Sequence, residues 1–278
     1  MFSVGAGTDK SHFKKGVLYF TRESAKAIEG GEKEASLDLG LTVSDVSGID
    51  FSKIPLGDVL GDFAYAWDGR ELFKLAVFDD GFYRLRMFSG VPILEIDGLR
   101  MHLVRDFNTP LDYSRGIVER LGIGKADRVL DTCMGLGYTA LAAGKAGARV
   151  DTCEISRAVY ELARWNPHSA GLFSGKNYSI HREDALGYVM KARGQAYTAI
   201  IHDPPRFSKA PLLYSGEFYK ALARVSKKGC RLFHYTGALG SKSGKRDIKA
   251  EVSGRIAGAG WKIIEDSGLY QGIFCLKK

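Results

Sequence analysis

Cysteine is scarce in this chain of 278 residues: Cys133, Cys153, Cys230 and Cys275 are the only four. No two of them form a CxxC pair, so no structural zinc site and no other metal site is expected. Three sit in or beside apolar segments (VLDTC, VDTCE, GIFCL) and Cys230 begins another (CRLFHY). This predicts four buried thiols in a reducing compartment. Long apolar runs are also missing, and none approaches the roughly 18 residues that a membrane helix needs. Residues 1–16 carry Asp9, Lys10, Lys14 and Lys15 but no apolar stretch of the kind a secretory leader needs. A soluble, cytoplasmic protein with no membrane partner is therefore expected. Neither internal repeats nor low-complexity linkers occur. A composition of 45% hydrophobic and 26% charged residues excludes disorder and collagen-like structure. The length fits one large domain or two.

Charge divides the chain. Residues 1–105 hold 13 Lys and Arg against 16 Asp and Glu, whereas residues 106–278 hold 27 against 16. A basic second half suits a polyanionic partner, RNA or DNA above all, because Lys and Arg replace condensed counterions. Solvated surface charge, or the lysine enrichment of a heat-adapted protein, explains it equally well.

The first hundred residues read as strand-rich. Segments 72–77 and 82–87 flank Asp79-Asp80-Gly81, and segments 93–96 and 99–104 flank Asp97-Gly98, which predicts two successive hairpins. A further strand is expected within 35–43 (ASLDLGLTV), and a short helix from residue 21 ends at Gly30-Gly31. After Asp106 strands alternate with helices. Strands are expected at 128–131, 148–153, 178–181, 197–202 and 230–235, with a closing pair at 261–265 and 271–276. Helices are expected at 113–121, 138–146, 156–165, 184–193, 216–226 and 245–258. That rhythm predicts a parallel sheet covered on both faces, the doubly wound α/β class.

Chemistry concentrates where the first of these strands ends, in Asp131-Thr132-Cys133-Met134-Gly135-Leu136-Gly137. Ligands of open α/β sheets bind at the carboxyl ends of strands, where glycines allow close approach and the next helix offers N–H groups. Gly135 to Ala140 also fits GxGxxA, a dinucleotide fingerprint. Asp131 discriminates, because a carboxylate sits badly against a pyrophosphate but can pair with the amino group of a methionine-like ligand. Glu154 ends the second strand. Asp184 follows the third. Alone, either would be read as a strand-end or helix-capping carboxylate.

Together these residues resemble the class I S-adenosylmethionine-dependent methyltransferases, whose first motif is an acidic residue followed by spaced glycines. Here it stands as Asp131-x-Cys133-x-Gly135-x-Gly137, with Cys133 in place of the first glycine. The resemblance implies S-adenosylmethionine as cofactor, with Glu154 on its ribose and Asp184 on its adenine amino group. The fourth strand leads into Asp203-Pro204-Pro205-Arg206, which resembles the (D/N)PP motif of enzymes that methylate amino nitrogens on nucleobases or protein side chains. The Asp side chain and the carbonyls of a proline-stiffened loop would accept hydrogen bonds from the acceptor nitrogen, and positioning would supply most of the rate. Arg206 replaces the usual aromatic residue, Phe207 follows it, and the arginine could contact phosphate or carboxylate. A stiff loop with a surface arginine is the plainer reading. Cysteine-dependent methylation of pyrimidine carbon is not expected, since no cysteine falls near the ends of strands four and five. His234 and Tyr235 do fall near that edge, as pocket lining or as packing.

SLDLGLTV, DTCMGLGYTA, ARWNPHSAGLF, IIHDPPRFS and LYSGEFYKALARV together are similar to a family of predicted, mostly archaeal methyltransferases with a DPPRFS motif. The hairpin ILEIDGLRMHLV and the Tyr113 helix are more weakly similar to polyamine synthases, which use decarboxylated S-adenosylmethionine with an acidic residue after strand four as amine base. The basic clusters Arg224, Lys227, Lys228, Arg231 and Lys242, Lys245, Arg246, Lys249 form a nucleic-acid track or a solvated surface. The expectation is a Rossmann-like methyltransferase domain at 106–278 behind a small β-rich domain at 1–105 for substrate recognition or oligomerisation. Asp131, Cys133, Gly135, Gly137, Glu154 and Asp184 would hold the cofactor. Asp203, Pro204, Pro205 and Arg206 would face a nitrogen on RNA or another macromolecule. Aminopropyl transfer and a non-catalytic RNA-binding scaffold are the alternatives.

Overall fold

Two tight turns organise the antiparallel part of the chain. Asp97 and Gly98, with φ of +50° and +80°, join strand Val91–Ile96 to Leu99–Arg100. Both residues are left-handed, as a type I′ turn requires. Ser89 and Gly90, at +47° and +76°, link Phe82–Phe88 to Val91–Ile96 in the same way. With Ala76–Phe78 these strands form a four-stranded sheet. The computed structural model describes residues 16–237 and 248–278.

Two sequence expectations change here. The single strand expected at 72–77 is split at Leu75. Leu72–Lys74 joins a three-stranded sheet with Leu18–Phe20 and Tyr65–Trp67, while Ala76–Phe78 enters the four-stranded one. Leu75 is fully buried, donates to Ala64 O and accepts from Leu85 N, so its backbone serves both sheets. The strand expected within 35–43 is a loop between the short paired strands Glu34–Ala35 and Ser44–Asp45. Asp38 gathers the Ser36 hydroxyl at 2.9 Å, the Thr42 hydroxyl at 2.6 Å and the Thr42 N–H at 3.0 Å. Such local bonds compete with a ladder whatever the apolar alternation. Gly40, at φ +92°, lies so close to Gly90 that a Cβ would sit 2.5 Å from its carbonyl oxygen.

The chain forms two compact units, Met1–Pro110 with Arg157–Gly175, and Leu111–Ser156 with Lys176–Lys278. The β-rich unit is thus built from two stretches of chain. Helix Arg157–Trp165 packs on strands Ala76–Phe78 and Phe82–Phe88, and Trp165 meets Phe73 edge-on at 5.2 Å.

The α/β unit contains seven strands: β1 (Arg128–Asp131), β2 (Arg149–Cys153), β3 (Tyr178–His181), β4 (Tyr197–His202), β5 (Ser226–Tyr235), β6 (Trp261–Ser267) and β7 (Gly272–Lys277). Their order is β3-β2-β1-β4-β5-β7-β6, with β1 to β5 parallel and β7 antiparallel to both neighbours. The helices are α1 (Pro110–Arg120), α2 (Tyr138–Lys145), α3 (Ala185–Lys191), α4 (Gly216–Val225) and α5 (Ile248–Gly258). The first three residues expected for α5 lie outside the described residues. Val129, Leu130, Ala199, Ile200, Ile201, Leu232 and Phe233 are fully buried, as befits central strands covered on both faces. Chain order reverses between β1 and β4, which opens a crevice at their carboxyl ends. Among the described residues no helix is long and apolar enough to cross a membrane.

A buried carboxylate ties the parallel strands together. Asp151 on β2 accepts from Arg128 Nε at 3.0 Å, Tyr197 OH at 3.0 Å and His181 Nε2 at 3.2 Å. Tyr188 of α3 extends the network through Tyr197 at 2.7 Å. Removing Asp151 leaves the buried Tyr197 hydroxyl and the partly buried His181 short of a partner, while Arg128 is half-exposed and can turn to water. We predict that Asp151→Ala lowers the unfolding free energy by about 3 kcal/mol in urea titration, with an unchanged slope. A loss under about 1 kcal/mol would assign the strands' cohesion to apolar packing alone.

Candidate functional site

Asp131 ends β1 and is fully buried. Its two oxygens accept hydroxyls from Thr152 of β2 at 2.7 Å and Thr139 of α2 at 3.3 Å. Burial pushes its carboxyl up to about 7, the hydroxyls oppose that shift, and the charges of Asp203 and Glu154 add to it.

The turn that follows is left-handed at Gly135 (φ +54°) and Gly137 (φ +77°), and Gly137 caps α2. A Cβ on Gly135 would meet nothing within 4 Å, so backbone conformation rather than crowding calls for glycine there. Cys133 is not left-handed, and a side chain is therefore tolerated in the place of the first glycine. Unlike the other three thiols it keeps some exposure, because it stands on the turn rather than in a strand. Surrounding protein holds that thiol well above its usual range, in the neutral form.

Glu154 follows β2 and is bonded to the turn. Its oxygens accept Gly135 N–H at 3.0 Å and Ser156 N–H at 2.8 Å, and burial pushes it up to about 7. Beside it Ile155 is 72% exposed, an apolar side chain at the mouth of the crevice that sequence reasoning missed. Asp184 is exposed and caps α3 through Gly187 N–H at 2.9 Å.

Asp203 follows β4 and accepts the Tyr113 hydroxyl of α1 at 3.3 Å. Burial raises it to about 7, against that hydrogen bond. Tyr113 is itself buried, with Phe233 and Tyr270 at 6.3 and 6.0 Å between ring centres. Pro204 is buried and Pro205 exposed. The expected open carbonyl of Pro205 already accepts Tyr214 OH at 2.9 Å. Arg206 is exposed, and Phe207 lies edge-on to Tyr214 at 5.5 Å. His234 is fully buried against Tyr219 OH at 2.8 Å, whereas Tyr235 stays partly exposed.

The crevice thus brings together Asp131, the glycine turn, Glu154 and Asp203. Among the described residues no Lys or Arg pairs with any of the three carboxylates. Tyr113, Thr139 and Thr152 are site residues that sequence reasoning missed. Tyr113 lies 90 positions from its partner, beyond any local motif. Half of the first basic cluster is structural. Arg224 donates to the carbonyls of Val189, Met190 and Ala192, and Arg231 to those of Leu121 and Gly122. Lys227 and Lys228 are exposed. Lys242, Lys245, Arg246 and the Lys249 side chain lie outside the described residues.

No family model matches the sequence. The uncharacterized protein MJ1233 of Methanocaldococcus jannaschii is 37% identical over 262 residues, 87% of this chain and 90% of that protein. The chain belongs to its family. A crystal structure of spermidine synthase with the transition-state analogue AdoDATO aligns with TM-score 0.58 and 17% identity, over 73% of this chain and 72% of that one. A SAM-dependent methyltransferase from Aquifex aeolicus aligns with TM-score 0.47 and 15% identity, over 59% of this chain and 89% of that one. The likeness is one of fold, and the α/β unit has the Rossmann-like sheet expected.

Ionising Asp131 in the free protein works against its burial, so its contribution is favourable at low pH and is lost as pH rises through about 7. Asp131→Asn should therefore raise the melting temperature of ligand-free protein most at pH 8.5, less at pH 5 and least near pH 3.5, below the unfolded value. An equal shift at all three values would mean that charge at Asp131 is not the strained feature.

Proposed function

We propose that this chain transfers a methyl group from S-adenosylmethionine to a nitrogen of RNA or another macromolecule. The observation that carries this reading is the set of three carboxylates at the strand-order reversal, with which no Lys or Arg pairs among the described residues. The cofactor supplies the missing positive charge, an ammonium and a sulfonium whose methyl group is electrophilic. Asp131 would take the ammonium, with Thr139 and Thr152 fixing its rotamer. Glu154 would keep its bonds to the turn and accept the ribose hydroxyls on its remaining lone pairs. Ile155 offers an apolar face to the adenine, and Asp184 its carboxylate to the adenine amino group. The turn at Cys133 to Gly137 lets the backbone approach the ligand.

Asp203 and Tyr113 form the acceptor side. A carboxyl raised to about 7 takes up a proton near neutrality, which suits it to accept one from the acceptor nitrogen. The DPP segment then holds the lone pair in line with the methyl group. Arg206, exposed beside it, suits a phosphate of the acceptor.

The alternative of aminopropyl transfer draws on two observations: the likeness to spermidine synthase spans more of the chain than the α/β unit comprises, and a site rich in carboxylates suits a cofactor that has lost its own.

Calorimetry with S-adenosylmethionine and its decarboxylated form separates these readings. The former should bind more tightly, and affinity should rise from about pH 5.5 to about pH 7.5, with proton release, because a cation favours the ionised carboxylates. Preference for the decarboxylated form would favour aminopropyl transfer, and binding of neither would leave only a non-catalytic scaffold. With labelled cofactor and separated RNA, protein and small-molecule fractions, Asp203→Ala should abolish transfer while cofactor affinity stays within about threefold. Loss of cofactor binding would refute the role given to that loop.

A further inference from the structure

Two histidines lie under the acceptor loop, and neither belongs to the chemistry above. His202 ends β4 immediately before Asp203, and His234 is its register partner on β5. Both are fully buried, and their ring centres are 4.4 Å apart. Burial holds both neutral, with His202 pushed down to about 3.

The tautomer of His202 follows from its partners. Its Nε2 lies 2.9 Å from the Leu213 carbonyl oxygen, which can only accept, so Nε2 carries the proton and donates it. Its Nδ1 is then a lone pair, and it accepts the Thr132 hydroxyl at 2.7 Å. Thr132 follows Asp131 and opens the cofactor turn. Leu213 stands at the far end of the loop that begins at Asp203. One ring therefore bonds the cofactor turn through one nitrogen and closes the acceptor loop through the other. The loop is braced inside that closure by Tyr214, whose hydroxyl bonds Pro205 O and whose ring meets Phe207.

We infer that Thr132 and His202 are positioning residues that couple the two halves of the site, so that ordering the cofactor turn also orders the acceptor loop. The ligand-dependent part rests on the proposed cofactor. The tie itself does not.

Hydrogen–deuterium exchange of the full chain, with and without S-adenosylmethionine, tests both. Thr132→Val keeps the shape of the side chain and removes the hydroxyl, which leaves a buried acceptor without a donor. Without ligand, exchange in residues 204–213 should rise about tenfold in this variant and return to the wild-type rate in Thr132→Ser. With ligand, wild type and Thr132→Ser should gain protection in both 131–137 and 204–213. Thr132→Val should gain it only in 131–137, with cofactor affinity within about threefold. Unchanged ligand-free exchange of the loop, or loop protection by ligand undiminished in Thr132→Val, overturns the coupling. Absence of any protection in wild type refutes the cofactor instead, and the ligand-free comparison still decides the tie.

Discussion

Asp131, Glu154 and Asp203 converge where β1, β2 and β4 end, and the groups around them are hydroxyls and backbone N–H groups rather than cations. Such neutral dipoles reduce the penalty of burying negative charge but do not cancel it. The consequence is a site that half-protonates near pH 7 and favours any ligand that brings positive charge. The rest of the crevice is arranged about that imbalance, with glycines that clear the approach and an apolar Ile155 at its mouth.

The same sheet holds a second buried aspartate handled in the opposite way. Asp151 has Arg128 beside it, within 2.9 Å of its Oδ2, and two further donors. Its charge is matched within the protein, and it serves cohesion among four strands and a helix. Asp131 pairs in register with Thr152, the next residue along β2, and among the described residues no cation pairs with it. A carboxylate provided with its counter-charge builds the fold, and on the proposed reading the one without it takes its counter-charge from the ligand.

The sequence made much of this legible, for physical reasons. Asp131, Glu154 and Asp203 each stand at the end of a strand of the βαβ rhythm, so their place at one sheet edge follows from that rhythm. Gly135 and Gly137 were readable because no other residue adopts positive φ so easily. Leu75 and the 35–43 loop were not, since apolar alternation reports burial, and it cannot distinguish a strand crossing between sheets from a loop closed by Asp38. Tyr113, Thr132 and His202 stayed hidden for a different reason. Their partners are 69 to 90 positions away or on another strand, and a buried tyrosine, threonine or histidine in an apolar run looks like packing until its bonds are seen.

The net charge that draws attention in the sequence is the weaker guide to the acceptor. Arg224 and Arg231 have their guanidinium groups on main-chain carbonyls, where they close a helix and hold β5 to the end of α1. The local chemistry is more informative. Phe207 meets Tyr214 edge-on, while Arg206 is exposed and Asp203 can take a proton. An exocyclic amino group of a nucleobase carries no proton that must leave before transfer, whereas an aliphatic amine is an ammonium at neutral pH and has no lone pair until a base removes one. Asp203, raised to about 7 and bonded to Tyr113, is matched to the second need. On the proposed reading, Asp203 is therefore better matched to a basic acceptor nitrogen than to a nucleobase amino group, with Arg206 placed for an anionic group on the same molecule.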